Sequence, residues 1–118
     1  MTKILVVDDS MVSRLMIKQI VNDSFPDWLV IDAANGDDAL AATEENQDID
    51  IALLDYNMPG MNGLELAEKI QSTHPIPRMA LLTANIQDHV KAQAESLGLS
   101  FINKPIQEDV VVPFLQAQ

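Results

Sequence analysis

Residues 4–10 read ILVVDDS, so that four consecutive apolar residues run directly into two acids and a serine. Four more short apolar runs follow, at residues 29–31, 51–54, 79–82 and 99–102. The starts of successive runs are 25, 22, 28 and 20 residues apart, which is too far for hairpins and typical of strand–helix–strand units. Because the runs are rich in Val, Ile and Leu without polar alternation, we expect five strands that are buried on both faces.

Amphipathic helical patterns separate the apolar runs. Val12, Leu15, Met16 and Ile20 recur with helical spacing after Ser10, so we expect them to form the buried face of the first helix. The other predicted faces, in chain order, are Ala39, Leu40 and Thr43; Leu66, Ala67 and Ile70; and Ile86, Val90, Ala94 and Leu97. Strands that alternate with helices predict the α/β class, with a mostly parallel sheet covered by helices on both faces, in one domain over residues 1–118.

Composition and charge narrow the function. The 118 residues are 47% hydrophobic, which is enough for a core, and they carry a net charge of -11. A field of that sign repels nucleic-acid phosphates and anionic lipids, so we expect no nucleic-acid partner for this domain alone and no membrane. No apolar run is long enough to span a bilayer, and the N-terminus has no secretory cleavage site. The absence of cysteine removes disulfides and thiolate chemistry and fits a cytoplasmic location.

Polar residues follow the apolar runs, where the carboxyl ends of parallel strands line one edge of the sheet and bind ligands. They are Asp8, Asp9 and Ser10 after the first run, Asp55 after the third, Thr83 and Asn85 after the fourth, and Lys104 after the fifth. Each has an ordinary explanation alone, since Asp9 or Ser10 could cap the first helix and Thr83 or Asn85 the fourth. Three carboxylates at one edge repel one another, however. We therefore expect a divalent cation with oxygen ligands, which is Mg²⁺, with Mn²⁺ as the alternative.

This set of residues is suited to phosphoryl transfer. A carboxylate beside Mg²⁺ can attack a phosphoryl group and form an aspartyl phosphate, while a lysine and a hydroxyl stabilise the transferring oxygens. The sequence contains neither GxxxxGK[ST] nor GxGxxG, and its first strand–helix turn, DDSMVS, is acidic and has no glycine. Flavin and dinucleotide cofactors are therefore excluded.

Four segments, ILVVDDS, LLDYNMPGMNG, LLTAN and FINKP, resemble the receiver domain of bacterial two-component response regulators in their order and spacing. The resemblance covers almost the whole chain and is of the single-domain, chemotaxis-regulator kind. It implies a flavodoxin-like, doubly wound sheet in the order 2-1-3-4-5. It also implies a phosphoacceptor switch without a separate substrate, which is phosphorylated by a histidine kinase or phosphotransfer protein and signals to an unknown downstream protein target.

The resemblance also assigns roles to individual residues. It implies that Asp55 is the phosphoacceptor and that Asp9 and Asp55 bind Mg²⁺ directly. The backbone carbonyl of Asn57 would be a third ligand, Asp8 would hold the metal through water, and Lys104 would pair with the phosphoryl group. The Lys104–Pro105 bond is commonly cis in this family.

A conformational response is implied as well. Thr83 would move to bond the phosphoryl group, and Phe101 occupies the place of the aromatic residue that turns inward. Asn57 and Asn85 occupy the two positions that tune phosphoryl lifetime. We expect the output surface to lie on the fourth helix, fifth strand and fifth helix, over residues from about 86 to 115.

Two alternatives come from other classes of protein. A small phosphatase resembling the haloacid dehalogenase superfamily also combines Asp, Thr and Lys with Mg²⁺, but its nucleophile ends the first strand in a DxD pattern. In this chain the lone acid, Asp55, follows the third run. A degenerate receiver that serves only as a docking surface is the other alternative, which the intact set of acids disfavours.

Pro113 is unusual, because it lies inside the expected last helix, over residues 107–115, and follows three consecutive valines. A proline there removes one hydrogen bond and crowds the preceding turn. We therefore predict that the last helix is short, kinked or displaced.

Overall fold

A computed structural model describes residues 2–84 and 87–117. Strands and helices alternate along the chain. The strands are β1 (Lys3–Val7), β2 (Leu29–Ala33), β3 (Ile51–Asp55), β4 (Arg78–Thr83) and β5 (Ser100–Asn103), and the helices are α1 (Met11–Ser24), α2 (Gly36–Glu45), α3 (Gly63–Thr73), α4 (Asp88–Ser96) and α5 (Glu108–Gln116). In the part of the chain that is described, no helix has the length and apolar character needed to cross a membrane.

All strand pairs are parallel and the sheet order is β2-β1-β3-β4-β5, which confirms the predicted topology. Side chains of successive strand residues point to opposite faces. Leu5 and Val7 thus pack with α2, α3 and α4 on one side, while Ile4 and Val6 pack with α1 and α5 on the other. Two apolar layers therefore hold the sheet between two sets of helices.

The prediction that every strand is buried on both faces is correct for the three central strands and wrong for the two edge strands. The residues of β3 are all buried, whereas Leu29 at the start of β2 is 41% exposed and Phe101 in β5 is half-buried. An edge strand has a neighbour on one side only, and the covering helices overhang it less.

The predicted buried face of α1 is also wrong. Of the four predicted residues, Val12, Leu15 and Met16 are exposed and only Ile20 packs, half-buried, against the core. The helix buries Ile17 and Val21 against the sheet instead. The apolar residues of α1 are spread over two adjacent faces, so helical spacing alone does not select the face that meets the sheet. We refer to Met11, Val12, Leu15 and Met16 as the exposed α1 face.

Local capping fixes where α1 begins and where α4 ends. The Ser10 side chain accepts a hydrogen bond from the Ser13 backbone N–H at 3.3 Å and is the N-cap of α1, as one of the two predicted caps. At the C-terminal end of α4, Gly98 has φ 77° and its backbone N–H donates to the Glu95 carbonyl at 3.0 Å. The backbone N–H of Leu99 donates to the Ala94 carbonyl, also at 3.0 Å. This is a Schellman motif, which needs a left-handed residue where glycine stands.

The N-terminus of α4 differs from the prediction. The helix begins at Asp88, and its N-cap is Gln87, which makes no side-chain capping bond among the described residues. Thr83 therefore does not cap it, and Asn85 and Ile86 lie outside the described residues. Val90 and Ala94 are buried as expected.

The last helix runs without a break from Glu108 to Gln116 through Pro113, with nine residues like α4, so the predicted shortening is wrong. Because Pro113 has no N–H, the carbonyl of Asp109 one turn earlier receives no helical bond, but Asp109 is exposed and water can reach it. The C-terminal end is held by Arg78, whose guanidinium donates to the Phe114 and Leu115 carbonyls.

Two glycines follow an asparagine N-cap as the first residue of a helix, but their surroundings differ. A Cβ on Gly63 would lie 2.5 Å from the Asp55 carbonyl oxygen, which is fixed in the sheet. A Cβ on Gly36 would lie 2.8 Å from the sulfur and 3.1 Å from the Cβ of Met61, so that all its close contacts are with one flexible side chain. Only Gly63 is required for a close approach of backbone to backbone, and that approach brings α3 against the end of β3.

We predict that Gly63→Ala destabilises the fold by about 2 kcal/mol or more, because the backbone at Asp55 cannot yield. Gly36→Ala is the matched control and should change the free energy of unfolding by less than about 1 kcal/mol, since Met61 can move. Urea unfolding followed by Trp28 fluorescence measures both. Equal effects of the two substitutions would contradict this account of Gly63.

Candidate functional site

The parallel sheet brings the predicted residues to its carboxyl edge. Asp55 ends β3 and pairs in register with Leu82, and Thr83 ends β4 one residue later. Asp8 follows the last residue of β1 and donates its backbone N–H to the Ala33 carbonyl at 3.2 Å, which continues the ladder with β2 by one bond. The edge is therefore a direct consequence of strand order, since β1, β3 and β4 are neighbours.

Three carboxylates converge at this edge. One carboxylate oxygen from each of Asp8, Asp9 and Asp55 can be chosen so that all three lie within 4.8 Å of one another. Asp8 is 0% exposed and Asp55 is 3% exposed, whereas Asp9 faces solvent. Two of the three carboxylates thus share a buried site, and the third lies beside them at the surface.

Lys104 is the cation that meets these acids. Its Nζ lies 3.1 Å from Asp8 Oδ2 and 3.2 Å from Asp55 Oδ1. Its backbone N–H donates to the Thr83 carbonyl at 2.9 Å, and the following bond to Pro105 is cis. Burial opposes the charged form of Lys104, but its close contacts with the carboxylates of Asp8 and Asp55 outweigh this and raise its pKa.

The environment of Asp55 has the opposite effect on an acid. Burial first, and then the charge of Asp8, raise the pKa of Asp55 from 3.8 to about 6, although Lys104 acts to lower it. Without a further cation, one ammonium group does not fully compensate two buried carboxylates.

The donor set fits a hard divalent cation. Asp8 Oδ1 accepts the Ser10 backbone N–H at 2.9 Å. Asp8 Oδ2 is buried and, within the described chain, has no hydrogen bond of acceptable geometry, so that only the charge of Lys104 meets it. Carboxylate oxygens at this spacing are ligands that Mg²⁺ accepts together with water.

The remaining predicted residues lie around this group. Thr83 is buried at the end of β4, Asn57 is exposed two residues beyond Asp55, and Phe101 lies half-buried in β5 against the α2–α3–α4 layer. Asn85 lies outside the described residues. The roles expected for these four residues, and for the three acids and Lys104, stay predictions.

One residue that contacts the site is not among those that the sequence analysis singled out. Arg14 in α1 turns inward, and its guanidinium donates from Nη1 to the Asp8 backbone carbonyl at 2.7 Å. Its side chain is 16% exposed. The signal in the sequence is spacing, because Arg14 lies one helical turn after the N-cap Ser10 and one turn before the buried Ile17.

Known proteins share this sequence pattern and fold. A family model described as "Response regulator receiver domain" matches residues 4–116. The chemotaxis protein CheY of Listeria monocytogenes is 39% identical over 118 residues, which covers 98% of this chain and 97% of that protein. The structure of the chemotaxis protein CheY4 of Vibrio cholerae is similar with a TM-score of 0.87 and 28% identity, over 98% of this chain and 97% of that chain.

Other relatives are longer proteins. The glycerol metabolism activator of Pseudomonas putida is 36% identical over 88% of this chain, which covers 48% of that protein. The cyclic di-GMP phosphodiesterase response regulator RpfG of Xanthomonas campestris is 35% identical over 87% of this chain, which covers 28% of that protein. The chain thus spans half or less of the length of these two relatives.

The raised pKa of Asp55 predicts that its charge destabilises the metal-free fold. The folded protein holds the Asp55 proton more tightly than the unfolded chain, so stability falls as the pH rises from about 4 to about 6. Asp55→Asn should therefore increase the free energy of unfolding at pH 7.5 by roughly 1–3 kcal/mol in EDTA, and by about half as much at pH 5.

Urea unfolding at the two pH values measures this gain. Asp37→Asn, which removes an exposed acid in the first turn of α2, is the control and should give no comparable gain. A gain for Asp55→Asn that is the same at pH 5 and pH 7.5 would contradict the assignment.

Proposed function

The chain belongs to the response regulator receiver domain family, and we propose that residues 1–118 form one such domain, in which Asp55 accepts a phosphoryl group from a histidine kinase or phosphotransfer protein. The observation that carries this proposal is the buried Asp55 carboxylate beside Asp8, with Lys104 3.2 Å away. A nucleophile, an acidic metal-binding group and a cation for the phosphoryl oxygens are thereby combined in one place.

Phosphorylation would proceed by direct displacement. A carboxylate oxygen of Asp55 attacks the phosphorus of a phosphohistidine, and the P–O bond forms as the P–N bond breaks. The imidazole nitrogen leaves with the bonding electron pair and takes up a proton from water. Hydrolysis of the acyl phosphate by water later releases inorganic phosphate and restores the carboxylate. The domain therefore needs no separate substrate, and we do not propose that it is an enzyme.

Asp8, Asp9 and Asp55, with the Asn57 backbone carbonyl, would hold the Mg²⁺. When bound, the metal supplies positive charge to the phosphoryl oxygens and neutralises the carboxylate group. A bound cation would also compensate the repulsion between Asp55 and Asp8, so that the ionised Asp55 carboxylate no longer destabilises the site at neutral pH.

Lys104 would supply positive charge to the same phosphoryl oxygens. In the unphosphorylated protein, its ammonium is shared between Asp8 and Asp55. A phosphoryl group on Asp55 carries more negative charge than the carboxylate it replaces, so Lys104 would move toward it. Thr83 would bond the same group through its hydroxyl.

The response would spread to the α4–β5–α5 face. Among the described residues, α4 buries only Val90 and Ala94 and has no side-chain cap at its N-terminus. An element held this weakly can change its arrangement at a small cost in free energy. Half-buried Phe101 belongs to β5 and packs against the α2–α3–α4 layer, and we assign it, with Thr83, to the switch. Asn57 and Asn85 are proposed to set the phosphoryl lifetime.

The downstream target is a protein of unknown identity that reads this face. We also propose a cytoplasmic location, which is where histidine kinases present their phosphoryl group. The net charge of -11 disfavours nucleic-acid and anionic membrane partners for this domain. The further activities named for the longer relatives are not proposed here, and no observation favours the phosphatase alternative.

Incubation with acetyl phosphate tests the acceptor directly. We predict that intact mass spectrometry finds one added phosphoryl group when Mg²⁺ is present and none in EDTA. Asp55→Asn should abolish the addition, because the nucleophilic carboxylate is lost, whereas Asp37→Asn should keep it. Addition to the Asp55→Asn protein, or equal addition in EDTA, would contradict the proposed acceptor and metal.

Beryllofluoride, which mimics a phosphoryl group on Asp, tests the switch. With Mg²⁺ we expect backbone amide shifts in residues 87–115 that are larger than those in the second half of α2. The Asp55→Asn protein should show neither set of shifts. Binding at Asp55 with unchanged amides in α4, β5 and α5 would contradict the proposed output surface.

A further inference from the structure

Arg14 connects the acidic site to the surface of the α1–β2 side of the molecule. Its Nη1 donates to the Asp8 carbonyl at 2.7 Å, which is short for a hydrogen bond between a charged donor and a neutral acceptor. The Asp8 carbonyl lies just beyond the last strand pair, Val7 with Ala33, and among the described residues no backbone N–H from β2 donates to it. A side chain provides the partner that the sheet does not.

The backbone of Asp8 is consequently fixed on both sides. Its N–H donates to the Ala33 carbonyl at 3.2 Å, and its carbonyl receives Arg14. Its carboxylate Oδ1 accepts the Ser10 N–H at 2.9 Å. The peptide that joins Asp8 to Asp9 is therefore anchored, and both acids of the site take their direction from it.

Arg14 is itself held in place by an acid outside the site. Its Nε lies 3.1 Å from Asp32 Oδ2, and Lys18, one turn further along α1, lies 2.9 Å from Asp32 Oδ1. Burial alone would raise the pKa of Asp32, but the hydrogen bonds and charges of Lys18 and Arg14 keep it below its usual value. Asp32 thus stays ionised at neutral pH and holds the guanidinium.

We infer that Arg14, held by Asp32, is a positioning residue that orients Asp8 and Asp9 for Mg²⁺. This inference rests on the proposed function, because it concerns the same metal-binding acids. Arg14 touches neither carboxylate of the pair and acts through the backbone that carries them. Partners that orient metal ligands are worth roughly 10- to 100-fold in metal affinity in known sites.

Position and charge have opposite effects here, which makes the inference testable. If Arg14 acted only as a nearby cation, its removal would favour a divalent cation and lower the Kd for Mg²⁺. If it orients Asp8 and Asp9, its removal raises the Kd, because two carboxylates that repel each other are then free to separate.

The test is an NMR titration of the ¹⁵N-labelled protein with MgCl₂, which follows the amides of residues 8–10. We expect Arg14→Gln to raise the Kd for Mg²⁺ roughly tenfold. Lys18→Gln is the matched control, because it also removes a positive charge that pairs with Asp32 but leaves the contact between Arg14 and Asp8 in place. Its Kd for Mg²⁺ should stay close to that of wild type. Arg14→Lys keeps the charge but cannot reproduce both contacts, so its Kd should lie between those of wild type and Arg14→Gln.

Several results would overturn the inference or the function on which it rests. A Kd for Arg14→Gln that is unchanged or lower, or a rise in Lys18→Gln of the same size, would overturn the inference. If the dispersion of the amide spectrum shows that Arg14→Gln is unfolded, Arg14→Lys carries the test, and a Kd equal to that of wild type overturns it. Wild-type protein that bound no Mg²⁺ would overturn the proposed function together with this inference, whereas wild-type binding with no change in the Arg14 variants would overturn the inference alone.

Discussion

Asp8, Asp9 and Asp55 repel one another at the carboxyl edge of the sheet, and Lys104 supplies the charge that opposes this repulsion. The two buried acids come from adjacent strands, β1 and β3, so the sheet order itself forces them together. Lys104 reaches them from the far edge strand because β4 lies between and receives the Lys104 backbone N–H on its last carbonyl. The strand order therefore leaves the carboxyl edge of the sheet with more negative charge than Lys104 compensates.

The rest of the fold supplies the stability that such a site removes. Two apolar layers, one on each face of the sheet, bury long aliphatic side chains from the central strands. Burial of this apolar surface is the main favourable contribution to folding. It offsets the destabilising effect of the charged cluster at the carboxyl edge of the sheet. Close packing also reaches the site itself, since the first turn of α3 approaches the Asp55 carbonyl at a distance that leaves no room for a side chain on Gly63.

Much of this could be predicted from the sequence. Unbroken aliphatic runs identify the central strands, because a strand that is buried on both faces needs no polar alternation. The acids and the lysine that follow these runs could be brought to one edge without knowing any distance. The exposure of β2 and β5 could not be predicted, since run composition does not say which strands lie at an edge. The buried face of α1 was missed because apolar residues lie on two of its faces, and the inward direction of Arg14 was missed because its partners, a backbone carbonyl and Asp32, belong to other elements.

The exposed α1 face has a consequence for how copies of this protein behave toward one another. Four large apolar side chains together on a surface favour self-association, yet each copy carries a net charge of -11 at pH 7. Mutual repulsion opposes such contact, and at physiological ionic strength it acts over a range of about 8 Å. The acidity of the chain therefore acts against self-association through this face, and its effect weakens as salt is added or as the pH approaches the isoelectric point near 4.2.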